Sequence, residues 1–544
     1  MSIYISYDIR GIQQSIFAVP RLKYIVGASA MIAQLDRETS PAIARELGGN
    51  AIFCGGGRGL FSIEEPKADE LKSRLIRAVN GRGLDVRIGQ SRDLLQAVKG
   101  ADDLFTAIPD GDLEGEPCAA SGLFPVPQSD QPRDFGHGAV HRIIQERVVA
   151  ADKDFLGNAL LKKVLACQEL SQIASADRVE FMRNVNPEDD GDRSANLGKK
   201  AIGSNQWAVL VFDGNDIGKQ HEKARQKFRN NPEAHSEWLK QMSRAIDECT
   251  VGALAEALKE GIIAWWAKHR EEWVDAKHVV LPFRPLIAGG DDILLLAHPQ
   301  AARKVASSIS RKFSELADEA NRKAGGELWL GTGGKLTLSC GVVYAPLSFP
   351  LATIITYAET LMAGAKAAGR ANKKGANTAG DAPSPAMIDW EVITEGAVEN
   401  PAARRRRELI FEDKDDADAG GPRTVYLTRR PWAISEIDKR LEQSRPILAK
   451  LPRSLRHDLM TGLRQAAWAR MRMLIRMKKN WPEIFEHLKL IPRSEHGDWW
   501  TTFEDGKKIT TDVIDLLLLL EFEDKHDEAG HQVRAVGTER ELKQ

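Results

Sequence analysis

The sequence predicts an α/β (α+β) protein made of two split β-α-β-β-α-β units followed by a helical C-terminal region. Three observations carry that prediction. First, a strand ending in Asp, a glycine hairpin and a further strand occur in the same order twice, as YDIRGIQ, CGGGRGLF and LDVRIG, then as FDGNDIGK, AGGDDILL and LTLSCGVV. Second, a polar stretch from Asn186 to Asn205 separates the two runs and reads as a linker or mobile loop. Third, from about Thr424 onward Leu, Ile, Met and Trp recur at three- and four-residue spacing, the period of helices with one buried face.

In chain order, the first unit begins with a strand at Ile3 to Tyr7. A helical pattern follows from about Leu22 to Leu47, then the strand AIFCGGG, a helix from about Lys67 to Asn80, and the strand LDVRIG. Pro, Gly and Asp crowd the stretch from Pro109 to Gly138, which marks a loop, and a helical stretch runs from about Val140 to Ala174. The second unit opens with a continuous apolar strand, Trp207 to Phe212, that ends on Asp213. A long charged amphipathic region covers about Gln220 to Lys268, then come the strands flanking the second hairpin, a helix from about Gln300 to Ala324, the strand LTLSCGVVYA, and the helix of ATIITYAETLMAGAKAAGR. This order is the ferredoxin-like split arrangement. Lys373 to Pro422, with RRRR at Arg404 to Arg407 followed by an acidic run, reads as a long, partly disordered connection. The expected divisions are 1–108, a first unit; 109–205, a loop and helical linker; 206–380, a second unit; 381–423, a linker; and 424–544, a separate helical domain.

Bulk composition excludes several classes. A chain of 544 residues exceeds what one core usually supports. Lys and Arg (76) balance Asp and Glu (77), so any nucleic-acid surface must be a local patch. The five cysteines are scattered and never spaced C-x-x-C, which argues against a disulfide framework or a zinc knuckle and for small buried hydrophobes. No signal peptide is visible, and the apolar run Leu516 to Leu520 falls far short of the roughly 20 residues a membrane helix needs. A cytoplasmic protein without membrane association is expected.

Gly289-Gly290-Asp291-Asp292 is good turn chemistry, because glycine reaches positive φ and Asp tolerates it. Taken alone, the tetrad is either an acidic hairpin tip or a metal-binding turn. Asp213 adds a carboxylate closing the neighbouring apolar strand. Joining a 3′-hydroxyl to an α-phosphate uses two Mg²⁺ or Mn²⁺ ions, which prefer carboxylate and phosphate oxygens. Asp213, Asp291 and Asp292 are therefore the expected catalytic and metal-binding set. Lys366 and Arg370, at i and i+4, put two cations on one helix face suited to a triphosphate, and with Gly289 and Gly290 they form the expected nucleotide-binding set. Asp216 is either a further metal ligand or the cap of the helix after it. The first unit differs in chemistry, with Gly57 and Arg58 where the second has Asp291 and Asp292.

AGGDD, FDGNDIGK and SCGVVYAP followed by the AKAAGR helix resemble the palm domain shared by GGDEF cyclases and the large subunit of type III CRISPR effector complexes. The GGDD form and the DGN-x-x-GK turn point to the CRISPR polymerase branch, in a form lacking the HD nuclease domain. DIRGIQQSIFAVPRLKYIVGASAMI resembles that family's degenerate first palm, and VYLTRRPWAISEIDKRLEQSRPILAKLPRSLRHDL its C-terminal helical domain. The resemblance implies conversion of ATP into cyclic oligoadenylate in antiviral defence. It also implies a CRISPR RNA with backbone and small subunits as partners, and target RNA as activator. His457-Asp458 and His526-Asp527 are HD pairs by letter only, so no DNA nuclease activity is expected. Cys118 lacks the neighbours of the family's zinc cluster, so no zinc is expected, and Asn215 stands where an acid is common in the family. Two rival readings are a stand-alone defence cyclase making a cyclic di- or mononucleotide without guide RNA, as a homo-oligomer, and a non-catalytic scaffold that binds RNA or protein. Clustered carboxylates repel one another at a cost in stability, which argues against the scaffold.

Overall fold

The first unit runs through β1 (Ser2–Arg10), α1 (Leu22–Gln34), a π-helical turn (Leu35–Thr39), α2 (Ser40–Glu46), β2 (Asn50–Gly55), β3 (Arg58–Glu64), α3 (Ala68–Asn80) and β4 (Asp85–Ser91). Its antiparallel sheet has the order β2-β3-β1-β4. The second runs through β5 (Gln206–Gly214), α4 (Ile217–Lys227), α5 (Pro232–Trp273), β6 (Phe283–Gly289), β7 (Asp292–Ala297), α6 (Pro299–Lys323), β8 (Leu338–Pro346) and α7 (Leu351–Gly375). Its first four strands repeat the order, β6-β7-β5-β8. This computed structural model describes residues 2–103, 155–182, 206–273, 278–375, 382–393, 399–413, 423–485 and 500–524, with short breaks inside these ranges. Cys118, His526, Asp527 and most of 109–205 lie outside the described residues.

The two units agree down to their irregularities. In one hairpin Gly55 pairs with Arg58, and in the other Gly289 pairs with Asp292. The register slips between Ala51 and Phe53 in the first and between Pro285 and Ile287 in the second, the same distance from each tip. A bulge bends its strand and aims the residues beyond it, so both hairpin tips are presented alike.

β5 is apolar throughout because both its faces are covered. Ala208, Leu210 and Phe212 face one core, shared with α5 and α6, whereas Trp207, Val209 and Val211 face another, shared with α7 and the first unit. Burial of each Val, Leu or Phe side chain here contributes about 1.5–3 kcal/mol, and it leaves Asp213 and Gly214 at the strand end, where the apolar run stops.

Beyond α7 the structure departs from expectation. The stretch read as a connection contains β9 (Met387–Val392), parallel to β8, then α8 (Pro401–Glu408) and β10 (Ile410–Asp413). The arginine run lies on α8, where Arg404 and Arg405 turn inward and Arg406 and Arg407 are exposed. Arg405 donates to Asp389 at 2.6 and 2.8 Å and to Glu391 at 2.7 Å, both on β9, and Arg404 donates to the Val392 carbonyl at 3.0 Å. Flanking Pro, Gly and charge hid a strand whose own carboxylates are buried and paired.

The C-terminal region carries β11 (Arg423–Tyr426), β12 (Trp432–Ala433), α9 (Ile434–Leu448), α10 (Arg453–Gly462), α11 (Ala467–Asn480), β13 (Trp500–Phe503), β14 (Lys508–Thr511) and α12 (Val513–Asp524). It is therefore helical with a four-stranded sheet, β10-β11-β14-β13, whose four-residue strands are too short to show a period of two. It also does not stand apart. β12 extends the large sheet beyond β9, Phe522 of α12 stacks on Tyr344 of β8 at 4.3 Å, and one hydrophobic core runs from Phe212 to Leu520. Cys249 and Cys340 are buried, Cys54 and Cys167 half-buried, and all four are free thiols. Among the described residues no helix is long and apolar enough to cross a membrane.

Candidate active site

The end of β5, the β6–β7 hairpin and one face of α7 meet at the acidic residues. Gly290, at φ +60°, makes the turn that brings Asp291 back over β5. Asp291 lies in hydrogen-bonding contact with Asp213. A Cβ on Gly214 would sit 2.7 Å from Asp291 Oδ2, so only glycine at that position leaves Asp291 its place. Loss of solvation, then the charge of Asp213, raises the Asp291 carboxyl from its ordinary range to about 6. Asp292 is pushed to about 7 by desolvation first, then by the charges of Asp291 and Asp213. Burial and mutual charge thus keep these crowded carboxylates protonated closer to neutrality than ordinary ones.

Lys366 bears directly on that deficit. Its Nζ lies 2.6 Å from Asp213 Oδ2, a side-chain ammonium standing where positive charge is wanted. Glu359, seven residues earlier on α7, adds a carboxylate whose charge reaches Asp292 and whose own proton affinity is raised by burial. Arg370 is exposed one turn beyond Lys366. The donors are all hard carboxylate oxygens, a match for Mg²⁺ or Mn²⁺. Yet among the described residues no three His, Cys, Asp or Glu side chains converge into a ready-made ion cage. Asp213 and Asp291 are thus the adjacent pair, Asp292 is coupled to them through its charge, and phosphate oxygens of a substrate would have to complete the shell.

The turn after Asp213 is built from polar contacts the sequence did not reveal. Asn215 is buried; its Nδ2 donates to Thr337 Oγ1 at 2.8 Å, and its Oδ1 accepts from Ser339 Oγ at 3.1 Å. A carboxylate could accept but not donate, so the amide fits this pocket. Asp216, in the left-handed region at φ +62°, is neither a free ligand nor a side-chain cap. One carboxylate oxygen accepts from the Ser384 amide at 2.8 Å and the other pairs with Lys219 at 2.6 Å. Burial alone would raise this carboxyl, but Lys219 and the Ser384 contacts outweigh it and hold it below its usual range. Asp216 is thus engaged by Ser384 and Lys219 in this arrangement.

The corresponding place in the first unit holds an ion pair. Arg58 donates to Asp8 at 2.7 Å, filling with its own guanidinium the space beside the strand-end carboxylate. Beneath it, buried Asp36 of the π-helical turn accepts from Tyr7 at 2.8 Å and from the Gly57 amide at 2.7 Å. His457 and Asp458, exposed on α10, belong to no cluster of metal-ligating residues among those described.

The fold order and the acidic hairpin define this unit as a palm domain. Residues 206–375 match the family model Cas10/Cmr2, second palm domain. Among solved structures, the chain is similar to a Csm1-Csm4 cassette in complex with AMPPNP, at 14% identity and TM-score 0.47, over 96% of this chain and 69% of that one. It is similarly related to a Csm1-Csm4 subcomplex of the type III-A CRISPR-Csm interference complex, at 15% identity and TM-score 0.46, over 96% and 70%. No curated protein matches.

Proposed function

We propose that the protein is a nucleotidyltransferase that converts ATP into cyclic oligoadenylate, with 206–380 as the reacting palm and 1–108 as its supporting partner. The observation that carries this reading is the pairing of Asp213 with Asp291 beneath Lys366, in a domain matching the Cas10/Cmr2 second palm. In each cycle a ribose 3′-hydroxyl attacks the α-phosphorus of a bound ATP, the bond to the bridging oxygen breaks and pyrophosphate leaves. Asp213 and Asp291, with Asp292 beside them, would hold the divalent cations; once bound, such ions lower the hydroxyl's proton affinity and neutralise the phosphates. Lys366 holds Asp213 until then, and its flexible stem lets the ammonium pass to a phosphate oxygen. Arg370, exposed on the same face, extends the positive edge toward the outer phosphates. Gly289 and Gly290 carry no side chain that would block approach to the hairpin.

The partners proposed with this activity are a CRISPR RNA, backbone and small subunits of a type III complex, and target RNA as activator. The test is incubation of purified protein with each NTP and Mn²⁺, with and without guide complex and target RNA. ATP-specific oligomers that appear or increase with target RNA are expected. A dinucleotide or mononucleotide product formed equally without RNA would replace this reading by a stand-alone cyclase, and no product under any condition by a scaffold.

A further inference from the structure

The acidic hairpin is held at its tip by a residue far away in sequence. Thr250, fully buried on α5, donates its hydroxyl to the Gly290 carbonyl at 2.6 Å. α5 spans 42 residues, about 60 Å of helix, and among the described residues of the first unit no helix is of similar length. A Cβ placed on Gly290 would meet nothing within 4 Å. Thr250 thus ties the backbone of the tip to α5, beside carboxylates whose charges repel once both are ionised.

The first unit repeats the device with different atoms. Its hairpin tip is gripped at the Gly57 amide by Asp36, which likewise belongs to the helical segment between the first and second strands. Two copies of one fold thus anchor equivalent turns from equivalent helices. The segments that carry the anchors also touch. Arg37, next to Asp36, donates to Asp247, one turn before Thr250, at 3.2 Å and to the Ala288 carbonyl at 3.4 Å.

We propose that Thr250 is a positioning residue for Asp291 and Asp292, and that α5 serves as a brace for the acidic hairpin. The proposal rests on the carboxylates being the cation site. Supporting contacts of this kind typically change metal affinity 10–100-fold when removed. Thr250→Val keeps shape and burial and removes the donor, whereas Thr250→Ser keeps the donor.

The experiment titrates Mn²⁺ into the full-length protein by electron paramagnetic resonance and follows hydrogen exchange of hairpin peptides without metal. Thr250→Val is expected to bind Mn²⁺ about 10-fold more weakly and to exchange faster over the β6–β7 turn, at an unchanged melting temperature. Thr250→Ser should return both to wild type. Asp291→Ala/Asp292→Ala serves as the reference for the site. If that double variant loses Mn²⁺ while Thr250→Val binds and exchanges like wild type, the brace is refuted and the carboxylate site stands. If the double variant binds Mn²⁺ like wild type, the carboxylate site falls, and the brace with it.

Discussion

Arg58 and Asp292 occupy one position in two copies of the same hairpin, each opening the return strand opposite the glycine that closes the outgoing one. The backbone is repeated and the charge is reversed. One copy neutralises its strand-end Asp8 with Arg58, and the other crowds Asp213 with more carboxylate.

The two palms should therefore respond unequally to mutation. Asp291→Ala/Asp292→Ala is expected to lower product formation from radiolabelled ATP by about 10³-fold or more, which is several kcal/mol of transition-state stabilisation. Asp8→Ala breaks a pair whose other member, Arg58, is exposed, and should leave turnover within a few-fold of wild type. Circular dichroism checks that each variant is folded.

Stability of the metal-free protein should fall as pH rises through about 6 to 7. Asp291, Asp292 and Asp36 all hold protons more tightly when folded than the ordinary carboxylate range allows. The folded state then binds more protons than the unfolded one, so its advantage is present at low pH and is lost as these groups ionise. Thermal melts across that range should show the decline, and Asp291→Asn/Asp292→Asn should flatten it. Mn²⁺ should restore stability above pH 7 in wild type alone.

Gly214→Ala tests the space reserved for Asp291. Its new Cβ would lie 2.7 Å from Asp291 Oδ2 and 2.9 Å from Asp291 Cβ. A displacement of about 1 Å at a reacting centre can cost about 10²-fold in rate, and a loss of that order is expected with little change in melting temperature.

Arg405→Ala should destabilise the fold by about 3–5 kcal/mol, because it takes the bidentate partner from buried Asp389 and leaves Glu391 with Arg430 alone. Arg406→Ala, an exposed neighbour in the same run, should stay within about 0.5 kcal/mol. Equal effects in melting experiments would mean that the run acts at the surface after all.

Truncation near Pro422 should damage the second palm as well as assembly. It removes Phe522 from its stack on Tyr344 and the β12 edge strand from the large sheet. The truncated protein is expected to melt well below the intact chain, as read by differential scanning fluorimetry.

Local chemistry was legible in the sequence by itself. A strand with both faces buried shows as the unbroken apolar run before Asp213, and a positive-φ turn shows as Gly289-Gly290 before two acids. The repeat of that order was enough to set out two split units with the sheet orders observed. Tertiary structure alone decided which charges meet. Lys366 reaches Asp213 across 153 positions, Asp216 is spent on Ser384 across 168, and Thr250 holds Gly290 across 40. The same packing turned Arg405, in a run that reads as a solvated connection, into the partner of the buried carboxylates of β9. The physical reason is that periodicity and turn chemistry report how a residue sits on its own element. A buried ion pair or a held carbonyl depends on which elements pack together, and that is set by the closing of the whole core.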